Sequence, residues 1–196
     1  MFTGLGVWLH KRAVAKAISR YGWTATLVRE PSGRPFAYTT GFQHTLSAPE
    51  IYVAGVPPQV ANGIFWTAFD EMKAGRLVLT DGLRQAGLIE GQDCIWRCVH
   101  ASQIIPDNFA TCLWWREHTT GRCDDVAAYQ LVWPDAEHGL FPWEPGCDAE
   151  TRLGQRPLWS PHDPEDPDRW LNASPSELAA FHPQTTPQTT GAGTPQ

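Results

Sequence analysis

The sequence predicts an α+β domain with a mixed or mainly antiparallel sheet, flanked by two or three helices. Three observations point there. Short β-rich runs alternate with segments of helical spacing, no regular βαβ repeat orders them, and Gly or Pro punctuates nearly every junction. With 196 residues, 42% of them hydrophobic, the chain suits one domain that buries a core without disulfide staples. We set that domain at residues 8–160 and expect a Pro-rich, largely disordered tail over 161–196.

The elements follow in order. Val14, Ala17, Ile18 and Tyr21 recur at helical spacing over 11–21, and Gly22 stops that helix. WTATLVR (23–29) and FAYTTGF (36–42) read as two strands of a hairpin around the breaker PSGRP. EIYVAGV (50–56) is a buried strand ended by Pro57 and Pro58. Val60, Ile64, Phe65, Ala68 and Met72 share a face of a helix over 59–74. RLVLT (76–80) then reads as a strand before the Asp81-Gly82 turn. CIWRCVHA (94–101) is a further strand, PDNFATCLWWREH (106–118) opens a helix at Pro106 or Asp107, and VAAYQLVW (126–133) is the last strand. Eight of the 17 prolines fall in 151–196, where PQTTPQTTGAGTPQ has nothing to bury. Within that stretch SPSELAAF (174–181) carries helix-start chemistry: Ser174 as cap, Pro175 at the first position, Glu177 three residues on.

Charge is unevenly spread. Residues 1–120 hold 11 basic and 9 acidic groups, and residues 121–196 hold 4 and 12. No dense Lys/Arg cluster exists to neutralise phosphates, so nucleic acid is not an expected partner. No run approaches the roughly 18 apolar residues of a membrane span. The opening MFTGLGVWLHKR lacks a secretory pattern, so the five cysteines are expected as free thiols in the cytoplasm. Phosphate-loop, dinucleotide, His-Glu-x-x-His, Gly-x-Ser-x-Gly and Cys-x-x-Cys motifs are missing, and no cofactor is expected.

Several pieces gain meaning together: Tyr21-Gly22-Trp23, Tyr38-Thr39-Thr40-Gly41-Phe42, Pro49-Glu50-Ile51, Gln130 to Asp135, Gly139-Leu140-Phe141-Pro142-Trp143, and Arg156-Pro157-Leu158. In this order, over about residues 10–158, the chain resembles the bacterial domain-of-unknown-function family numbered 4262. It departs from that pattern at Phe42, where Leu is usual, and at Ala48, where a His would precede Pro-Glu. The resemblance implies no activity.

Three sets of residues carry candidate chemistry. Tyr38, Thr40 and Gly41 precede His44 and Glu50; a carboxylate that orients a histidine makes a general base, whereas the same residues also serve to pack a sheet face and turn a corner. Cys94, Cys98 and His100 share a strand face and offer zinc-type ligands, but a straight strand separates the ends by about 20 Å, too far for one ion. Trp133, Asp135 and Trp143 sit in Pro-stiffened loops, in a chain with ten tryptophans. The leading expectation is a module that binds an unknown small molecule or protein in an aromatic/polar pocket between segments 38–50 and 133–144. The alternative is a small hydrolase or transferase using His44 with Glu50, or a cysteine nucleophile.

Overall fold

The computed structural model describes residues 4–29 and 34–180. Helix α1 (Gly4–Tyr21) buries Val14 and Ile18, as its spacing requires. It ends at Gly22, whose φ of 86° needs glycine and whose N–H bonds the Ile18 carbonyl. Strands β1 (Thr24–Arg29) and β2 (Pro35–Thr40) pair antiparallel, from Thr24↔Thr40 to Arg29↔Pro35. Part of the expected connecting loop, residues 30–33, lies outside the described residues, as does the stretch from 181 onward that contains PQTTPQTTGAGTPQ.

A short helix α2 (Phe42–Leu46) leads to β3 (Glu50–Ala54), and α3 (Pro58–Lys73) follows with Pro in its first turn. Strands β4 (Arg84–Ile89) and β5 (Gln92–Cys98) form a hairpin. Then come α4 (Pro106–Thr120), β6 (Ala128–Val132), α5 (Ala149–Gly154) and α6 (Pro175–Ala180). The six strands make one mixed sheet in the order β1-β2-β3-β6-β5-β4. All its pairs are antiparallel except β3 with β6. This is the expected α+β architecture.

Both faces of the sheet are covered. Ile51 and Val53 point toward α3, where they meet Ile64, Phe65, Trp23, Phe42 and Trp96. Tyr52 and Ala54 point the other way, toward Phe109 and Cys112 of α4. Every residue of β3 is therefore buried, which explains why it reads as a continuous apolar run. A third cluster joins Ile95 and Val132 to Phe141, Trp143, Trp159 and Leu178.

Two expectations need correction. Residues 76–80 alternate like a strand, with Leu77 and Leu79 buried and Val78 74% exposed, but their backbone joins no ladder. The paired strand is β4, an edge strand with exposed polar positions and little apolar alternation to announce it. Packing also does not end near residue 160. Ser174 and Glu177 form the reciprocal cap, with the Ser174 N–H donating to Glu177 Oε2 at 2.7 Å and the Glu177 N–H donating to Ser174 Oγ at 3.3 Å. Helix α6 then inserts Leu178, 2% exposed, against the third cluster.

Candidate functional site

Glu50 is the first candidate, and its surroundings are built from four donors. The Thr39 hydroxyl donates to Oε2 at 2.7 Å, the Gly41 N–H to Oε1 at 2.9 Å, and the Phe42 and Gln43 N–H groups at 3.2 Å each. The carboxylate thus caps α2 from a different strand, since no local side chain does so. Burial raises its pKa above 4.5, and these hydrogen bonds pull it part of the way back.

His44 is not part of this arrangement. It lies exposed on α2, edge-on to Trp115 at 5.5 Å between ring centroids. Among the described residues no hydrogen bond joins it to Glu50. Gly41 has φ 116°, and a Cβ there would stand 2.8 Å from the Gly22 carbonyl oxygen and 3.0 Å from Trp23 Cα. Backbone of the α1–β1 junction therefore closes directly on Gly41. Tyr38 is buried, and its hydroxyl accepts from the Thr111 N–H at 3.1 Å. The non-helical Phe109 (φ −141°) interrupts α4 two residues before, so that amide is available. Thr40 is fully buried, and its Oγ1 has no hydrogen-bond partner among the described residues.

The other expected half lies elsewhere. Trp133 follows β6 and donates its indole N–H to the Ala54 carbonyl at 2.9 Å, at the far end of β3 from Glu50. Four residues of strand separate the two ends by about 13 Å. Glu50 and Trp133 therefore lie at opposite ends of β3 and not side by side. Trp143 stacks on Phe141 (5.1 Å, 6° between planes) and meets Trp159 edge-on at 5.4 Å, with the buried Arg97 guanidinium 5.4 Å from its ring. Asp135 is 1% exposed; its Oδ1 accepts from the His138 N–H, while its Oδ2 has no hydrogen-bond partner.

Cys94, Cys98 and His100 are not brought together as ligands. Cys94 is buried and Cys98 exposed, while His100 accepts from the Ser102 N–H at 3.2 Å and caps the turn after β5. Among the described residues, the group of three with ligand-type atoms within 4.8 Å of one another is Asp135, Cys147 and Asp148. Burial pushes the Cys94 thiol up to about 12 and the Cys147 thiol up to about 11. Burial, with Glu50 beside it, holds Cys112 well above the ordinary thiol value. These three are protonated at neutral pH, a poor state for a nucleophile.

A cleft that the sequence reading missed lies under the C-terminal segment. It encloses about 580 Å³, and its wall includes Arg156, His162, Asp163, Arg169, Trp170 and Glu177. Trp170 Nε1 and His162 Nδ1 are buried atoms with no hydrogen-bond partner among the described residues. The rim is held by Gln103, whose Nε2 donates to the Ser160 carbonyl at 3.1 Å, and by Ser102, whose Oγ accepts the His162 N–H at 2.8 Å. Proline-rich composition hid this cleft, because composition reports a low capacity for regular structure and says nothing of loops pinned by distant side chains. The helix-start signal at Ser174 was the one local clue.

The family model described as Domain of unknown function (DUF4262) matches residues 17–148. No curated protein and no solved structure matches the chain. The cleft wall from Arg156 onward lies beyond the matched residues, whereas Glu50, Asp135, Cys147 and Asp148 fall within them.

Proposed function

The chain belongs to that family, whose description assigns no activity, and from the geometry alone we propose that it is a binding module for a small polar molecule, held in the cleft beside Trp170. The observation that carries this reading is a cleft of ligand size, about 580 Å³, whose wall sets Trp170 and His162 beside Arg156, Arg169, Asp163 and Glu177. Pockets for small molecules fall in this size range and use a few fixed polar groups for orientation.

The lining also restricts the ligand class. Arg156 and Arg169 stand against Asp163, Asp166 and Glu177, which leaves the charged wall at −1. A polyanion is disfavoured; a neutral or zwitterionic molecule fits. An apolar part of such a ligand would lie against the Trp170 ring.

A thermal-shift screen of amino acids, dipeptides and nucleosides tests the reading. A ligand that raises the melting temperature of the wild type and not of Trp170→Ala or Arg156→Ala supports it. Hits that stabilise all three proteins equally, or no hit in any class, contradict it.

A further inference from the structure

We propose that Asp135, Cys147 and Asp148 form a divalent-metal site of the zinc type at the junction of β6 and α5. It is independent of the cleft.

Asp135 is the starting point. Its backbone is fixed twice, by its N–H to the Leu140 carbonyl at 2.8 Å and by the Gly139 N–H to its own carbonyl at 3.1 Å. Its side chain is wholly buried, Oδ1 receives the His138 N–H, and Oδ2 has no hydrogen-bond partner among the described residues. A buried carboxylate with one unsatisfied oxygen is expensive to maintain. The exposed His138 ring stands by Oδ1, and Arg152 lies close enough to act on the Cys147 thiol, but neither meets Oδ2 in a hydrogen bond; the nearest ligand-type groups are of another kind. They are the Cys147 sulfur and the Asp148 carboxylate, all three ligand-type atoms lying within 4.8 Å of one another. Donors on a tetrahedral zinc, at about 2.0–2.3 Å from the ion, stand about 3.5 Å apart. Contraction of this group from within 4.8 Å to that spacing satisfies the geometry.

The frame around the ligands is already organised. Asp148 caps α5, accepting the Thr151 N–H at 2.8 Å and the Thr151 hydroxyl at 2.6 Å, so its carboxylate is oriented. Gln155, at the other end of α5, clamps β6: Trp133 N–H donates to its Oε1 at 3.0 Å, and its Nε2 donates to the Trp133 carbonyl at 2.8 Å. The strand end that carries Asp135 and the helix start that carries Asp148 are thereby held in register. Such outer hydrogen bonds are what position metal ligands. The donor set selects the ion: a sulfur with two carboxylates suits zinc or cobalt and not magnesium or calcium, which take oxygen. Cys147 releases its proton to solvent when it ligates. A water completes the shell, and the His138 ring, with Nδ1 3.7 Å from Asp135 Oδ1, lies on the exposed side of Asp135.

The test uses the full chain, purified without a histidine tag, stripped with chelator and titrated with Co(II). One equivalent should bind, with a sulfur-to-cobalt charge-transfer band and the intense visible bands of a tetrahedral ion, and zinc should displace it. Cys147→Ser should abolish the charge-transfer band while circular dichroism stays unchanged, and Asp135→Asn should weaken binding by about 100-fold or more. Absence of the band in the wild type, or its persistence in Cys147→Ser, overturns the site. The wild-type titration decides the matter even where Asp135→Asn fails to fold.

Discussion

At the scale of single residues, Glu50 and His44 separate two roles that adjacency in sequence had joined. Glu50 satisfies three backbone amides and one hydroxyl in the interior, so Glu50→Ala leaves several buried donors unpaired. It should cost about 3 kcal/mol or more in denaturant unfolding. His44→Ala, on an exposed ring, should stay within about 0.5 kcal/mol in the same measurement. The pH dependence follows from burial. Folding raises the Glu50 carboxyl above 4.5, so the folded chain keeps that proton to higher pH than the unfolded chain. Its contribution to stability is full below 4.5 and declines as pH rises through the folded value. Glu50→Gln has no such titration, so the stability of the wild type relative to that variant should fall from pH 4.5 upward. A rise over that range would contradict the assignment. Gly41→Ala meets both a positive φ and the Gly22 carbonyl, and should destabilise by about 1–3 kcal/mol.

At the scale of elements, periodicity and punctuation made most of the fold legible. The stops at Gly22 and Pro57, the continuous apolar run of β3 and the apolar face of α3 each encode their own structure locally. Elements held by distant partners were not legible. Helix α2 starts on a carboxylate from the next strand, and β4 is an edge whose polar residues carry no alternation. The motif pieces that mark the family bond one another. Gly22 packs on Gly41, Thr39 and Gly41 bond Glu50, and Gln130 accepts the Leu158 N–H at 2.9 Å while donating to the Arg156 carbonyl at 2.9 Å. Their spacing therefore records scaffold constraints, which is why it could be read as a resemblance and not as a reaction. Helix α6 belongs to this level too. Leu178→Ala removes its one buried apolar anchor against Trp143 and Trp159, and should lower stability by about 2 kcal/mol or more, read from thermal unfolding.

For the whole molecule, topology decides where function can reside. The parallel pairing of β3 with β6 sets Glu50 and Trp133 at opposite ends of β3, so the two do not adjoin. Four of the ten tryptophans serve the interior: Trp23, Trp96, Trp143 and Trp159 are each below 10% exposed. Among the described residues no helix is long and apolar enough to cross a membrane. The cleft arises because residues 156–180 fold back over the β5–β6 end of the sheet, on contacts from Gln103 and Leu178 that sequence order does not announce. The binding proposal rests on Trp170 in that cleft. Its most direct test is the set of indole N–H signals of the nitrogen-15-labelled chain, with the Trp170 signal identified by its loss in Trp170→Phe. Titration with a ligand from the thermal-shift screen should shift the Trp170 signal in a saturable way and leave that of Trp115, at the other end of the fold, in place. An unmoved Trp170 signal at saturating ligand would contradict the account.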